Sequence, residues 1–70
     1  MVQGLIMQFG KEYVRRQWDN QIIVRVPAGT EISESENFFG NVIVQVNTPV
    51  TKNLGSEICL SQEEFEEYVE

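Results

Sequence analysis

Seventy residues suffice for one domain, 1–70, with one modest core. A single cysteine and no histidine rule out an internal disulfide and any histidine-based acid–base or nucleophile pair, and argue against a zinc set. A net charge of −6 argues against a general nucleic-acid coat and against binding to anionic membrane.

The first candidate strand is Leu5 to Phe9, ended by Gly10, with Lys11-Glu12 as a tight turn. Tyr13 to Trp18 reads as the returning strand and Asp19-Asn20 as a turn pair. Gln21 to Val26 is β-branched and alternating, and Pro27 and Gly29 stop it. Thr30 to Ile32 suggests a short edge strand, and Ser33 to Asn37 is polar and loop-like. Val42 to Val46, between Gly40 and Pro49, is the second strong strand. A loop over Thr48 to Ser56 leads to a last strand, Glu57 to Leu60.

The chain then turns helical over 61–69. Ser61 and Glu64 have capping-box spacing, and Leu60 and Phe65 have the spacing of a hydrophobic staple. Phe65, Tyr68 and Val69 share one face, through which so short a helix must dock. The expected fold is mostly β with one short C-terminal helix: a small antiparallel sheet or SH3-like barrel of about five strands. Alternation gives Val42, Val44, Val46, Ile22, Val24 and Val26 to the core. Ile6, Ile23 and Ile43 fall on the opposite face, where the helix, a second subunit or a partner would cover them.

The charge is divided along the chain. Residues 1–28 hold four bases against two acids, and residues 29–70 hold Lys52 against nine glutamates. Lys11 to Trp18 mixes bases with aromatics. Arg15, Arg16, Trp18 and Arg25 are therefore candidates for contact with nucleic acid, since arginine grips phosphate and tryptophan stacks on bases. The competing reading has the arginines balancing the chain's own glutamates and Trp18 filling the core. The helix carries Glu63, Glu66, Glu67 and Glu70, read as a solvated acidic face rather than a metal site. Cys59, between Ile58 and Leu60, reads as a small half-buried filler.

Glu34-Ser35-Glu36-Asn37-Phe38-Phe39 is the third feature. Adjacent phenylalanines on extended chain cannot both face inward, so one is expected at the surface among glutamates, as interface anchors are.

Gly40 to Pro49, followed by Ser61 to Phe65, resembles the second half of carbon storage regulators. That resemblance implies five strands and a helix in an intertwined dimer that binds messenger RNA. The family's arginine before the helix glutamates would fall at Gln62, and its basic first strand on the neutral Leu5 to Phe9. The RNA-binding residues are thus not carried over.

The reading that follows is a non-enzymatic module, with no cofactor and no metal, that binds a protein partner with a basic surface. Its contacts would be Glu34, Glu36, Phe38, Phe39, Glu63, Glu66, Glu67 and Glu70. Small phage or mobile-element inhibitors and regulators are the analogous class. The alternatives are a nucleic-acid-binding small barrel and a self-assembling subunit, a homodimer among them. The lone cysteine, the absence of an apolar run of ~20 residues and the absence of a leader-like start suggest a cytoplasmic protein without membrane contact.

Overall fold

The computed structural model describes residues 7–70, so the candidate strand residues Leu5 and Ile6 lie outside the described residues. Five strands and one helix follow in order: β1 (Tyr13–Arg16), β2 (Ile22–Val26), β3 (Ile32–Phe38), β4 (Asn41–Val46), β5 (Glu57–Ser61) and α1 (Gln62–Tyr68). They form two antiparallel sheets, β1-β2 and β3-β4-β5. The mostly β class with one short C-terminal helix is what the sequence suggests, but the sheets do not close into a barrel.

Alternation builds the core. Val42, Val44 and Val46 of β4 and Ile58 and Leu60 of β5 face Val24 and Val26 of β2 and Tyr13 of β1, with Phe9 fully buried among them. The hairpin between β1 and β2 turns over Trp18, Asp19 and Asn20. Asn20 takes φ 68°, Gln17 N–H donates to the Gln21 carbonyl, and Asn20 N–H donates to the Gln17 carbonyl. This is a type I turn closed by a left-handed residue, a role asparagine fills readily. Ile22, expected in the core, is 38% exposed beside this turn.

Two short segments join the sheets. Residues 50–52 run along the second edge of β2: Val24 bridges Thr51, Arg25 N–H donates to the Val50 carbonyl, and Lys52 N–H donates to the Ile23 carbonyl. The β1–β2 register shifts between Arg15 and Arg16, so Ile23 has no partner in the β1–β2 ladder. It packs partly buried against the core instead of lying on a wet face. The second segment is residues 7–10. Phe9 N–H donates to the Thr30 carbonyl, while Gly10 N–H donates to the Tyr68 carbonyl and Glu70 N–H to that of Gln8. The start of the described chain is thereby held between the approach to β3 and the end of α1.

The helix has the expected start. Glu64 N–H donates to Ser61 Oγ, and Ser61 N–H donates to Glu64 Oε1, which completes the capping box. Phe65, Tyr68 and Val69 pack against the core. Tyr68 meets Tyr13 edge-on at 4.9 Å between ring centroids.

The loop expected over Ser33 to Asn37 is absent. Ser33 to Asn37 is strand, the middle of the seven-residue β3. Its composition favours a loop, but the hairpin register with β4 imposes extended backbone from Glu34↔Gln45 to Phe38↔Asn41.

Candidate partner-binding surface

The hairpin of β3 and β4 turns over Phe39 and Gly40, with φ values of 48° and 83°. Positive φ at both central residues marks a type I′ turn, whose twist suits a hairpin and whose usual residues are Asn-Gly. Gly40 adopts its conformation freely. A phenylalanine in the left-handed region is strained by about 1–2 kcal/mol. Nothing in the core compensates, because Phe39 is 90% and Phe38 57% exposed. Both rings therefore stand at the surface, where the sequence argued for only one. They meet edge-on at 4.6 Å.

Period-two alternation sets Glu34 and Glu36 on the same face of β3 as Phe38. Their register partners Gln45 and Ile43, and Glu57 and Cys59 beyond them on β5, continue that face. Glu34, Ser35, Glu36, Ile43, Gln45 and Glu57 line a shallow depression of about 270 Å³. That is below the range of drug-sized ligand pockets, ≈300–1,000 Å³, so it suits a side chain better than a cofactor. Ile43 is half-buried there. Cys59 is exposed, because its face of β5 points away from the core; the filler role does not hold.

The helix begins beside the hairpin tip, where Gln62 N–H donates to the Gly40 carbonyl at 3.2 Å. Glu63, Glu66, Glu67 and Glu70 are exposed along it. Glu67 pairs with Lys11 at 3.1 Å, and Glu66 accepts from the Gln62 side chain. Among the described residues, Glu34, Glu36, Glu57, Glu63, Glu66 and Glu70 have no cation within 4.0 Å. Also among the described residues, no three side chains gather as a metal site. No helix of the described residues is long and apolar enough to cross a membrane.

Of the four residues suggested for nucleic acid, Arg15 and Arg25 are engaged by groups of the chain itself. The Arg15 guanidinium donates to Tyr13 Oη at 2.6 and 3.0 Å and to the Cys59 carbonyl at 2.8 Å, with Glu64 at 3.7 Å. Tyr13 Oη in turn lies 3.2 Å from Glu64 Oε2, tying the capping box to β1. Burial pushes the Tyr13 hydroxyl above its usual pKa of 10.0, against the lowering pull of Arg15. Arg25 pairs with Glu12 at 3.0 Å. Arg16 and Trp18 lie at the β1–β2 turn, where Arg16 donates to the Asn20 carbonyl. Trp18 fills no core; it is 93% exposed.

Two residues of interest escape a sequence reading. Glu57 joins the acidic face, beside the outward Ile43 that alternation marks, only through the β3-β4-β5 register. Leu54, at φ 63° and 79% exposed, is displayed by a turn whose N–H groups are taken up by Thr51 and Gly55. The one available signal was the Glu-x-Glu spacing of residues 34 and 36, which is strand alternation.

Compared with protein-family models, with curated proteins and with solved structures, the chain has no match. The resemblance to carbon storage regulators therefore stands on its local motifs alone.

Proposed function

We propose that this chain is a non-enzymatic interaction module that docks on a protein partner with a basic surface and so inhibits or regulates it. Phe39 carries the reading. A large apolar ring is held almost fully in water, in a backbone conformation that disfavours it, on a hairpin whose next two outward residues are glutamates. Folding gains little from such a ring, whereas a buried aromatic anchor with a charged rim is what interface energetics reward. Phe38 and Phe39 would enter an apolar pocket. Glu34, Glu36 and Glu63 would meet its basic rim and raise the association rate.

Affinity capture from lysate should yield a protein bound by the native chain and lost with Phe39→Ser. The same protein should be released as salt rises. Retention by Phe39→Ser, or indifference to salt, would overturn the reading.

A second reading rests on Trp18, 93% exposed beside Arg16. Arg16 has no carboxylate within 4.0 Å among the described residues. Single-stranded nucleic acid stacked on this indole would quench its fluorescence at low salt. A silent titration removes this alternative.

A further inference from the structure

Among the described residues β3 has one ladder partner, β4. The type I′ turn makes Phe38 and Asn41 a hydrogen-bonded pair, so the pairs Glu36↔Ile43 and Glu34↔Gln45 are hydrogen-bonded as well. The same alternation directs the backbone N–H and C=O groups of Ser35 and Asn37 away from β4. Among the described residues nothing receives them. Residues 7 and 8 reach only the first positions, where Gln8 bridges Glu31 and Ile32 N–H donates to the Met7 carbonyl. Beyond Ile32 every residue of β3 is exposed, so among the described residues an unpaired template edge runs from Ser33 to the Phe38–Phe39 tip.

We infer that this edge accepts an extended basic segment of the partner as an added strand. The inference rests on the reading of the chain as a protein-binding module and names how the partner is held. Backbone groups of Ser35 and Asn37 supply the ladder bonds, as in other cases of strand addition. The side chains set the specificity. On an added strand, residues opposite Glu34 and Glu36 lie two apart and point to the same face as those glutamates. Lysine or arginine at both positions places cations against Glu34 and Glu36. The residue opposite Phe38 would be apolar.

A second copy of this chain fits the edge poorly. Antiparallel self-pairing over Ser33 to Asn37 centres on Ser35 and sets Glu34 opposite Glu36 of the other copy, twice. Like charges directly opposite one another destabilise a ladder. The two glutamates thus guard the edge against copies and select a partner of opposite sign, a usual way of managing an exposed edge.

The test uses the full chain and a short synthetic peptide alternating lysine with valine. A glutamate-for-lysine peptide serves as control. Amide hydrogen exchange is read residue by residue. The lysine peptide should bind at low salt and slow exchange at Ser35 and Asn37 tenfold or more, and the control should do neither. Ser35→Pro removes an N–H that the β4 ladder does not use, so the variant folds, yet it should abolish binding; Ser35→Ala should bind normally. Glu34→Gln and Glu36→Gln should each weaken binding about 1.5- to 5-fold.

Binding that survives Ser35→Pro overturns strand addition. If that binding is nevertheless lost with Phe39→Ala, the hairpin-tip reading stands without it. Protection of Ser35 and Asn37 in the dilute free chain would show the edge already covered by the chain itself. Protection that rises with protein concentration, together with a doubled mass, would show a second copy there. Either result overturns the inference.

Discussion

Replacing Phe39 by asparagine separates a residue kept for folding from one kept for contact. Asparagine is at home at the first central position of a type I′ turn, and relief of the left-handed strain is worth about 1–2 kcal/mol. Two losses oppose it. Phe39 is 90% exposed, so the burial forfeited is about 20 Å², or about 0.5 kcal/mol. The edge contact with Phe38, itself mostly in water, adds about 0.5 kcal/mol more. The balance is a gain of about 0.5 kcal/mol, a rise of roughly 2–4 °C in Tm for a domain of this size. Far-UV circular dichroism is the right readout, since Trp18 is solvated before unfolding and reports it weakly. Partner capture should fail in the same variant. A fall in Tm of more than about 5 °C would show that the ring supports the fold, and the argument for an anchor would collapse.

Four further outcomes follow from the packing. Leu60→Ala should cost about 3 kcal/mol by urea titration, because Leu60 is fully buried beneath the helix start; a 70-residue domain holds only about 3.5–10 kcal/mol in all. Ser61→Ala should cost about 1 kcal/mol, with Tyr68 and Val69 showing faster amide exchange as the helix frays. Trp18 should be fully quenched by acrylamide in the native state, and partial shielding would contradict its placement. Tyr13 keeps its proton in the folded chain above the pH at which the unfolded chain releases it. Stability should therefore fall as pH rises past about 10, and Tyr13→Phe should flatten that limb of the curve.

Elements with strong local chemistry were legible. β2 and β4 are β-branched runs bounded by Pro and Gly, and the Ser61–Glu64 box marks the helix to within a residue. β3 was hidden because Ser-Glu-Ser-Glu-Asn has neither apolar alternation nor strand propensity. Its conformation comes from a partner ladder and a turn, both outside that segment. Exposure of Trp18 and Cys59 was hidden for a related reason. Composition favours burial for both, and only the placement of turn and sheet face decides otherwise. Of the candidate surface, the phenylalanine pair, its glutamates and the outward Ile43 could be read directly, whereas Glu57 needed the sheet register.

The ladder between Gln8 and Glu70 has a consequence for how the molecule is made. Its two sides are 62 positions apart, so ribosomal synthesis delivers one long before the other. At about 5–20 residues per second, Phe9 waits several seconds for the segment that will shut the bottom of its pocket. The nascent polypeptide must keep that ring from straying until the final turn of helix clears the exit tunnel. Closure of that pocket therefore waits on the arrival of residues 68 to 70.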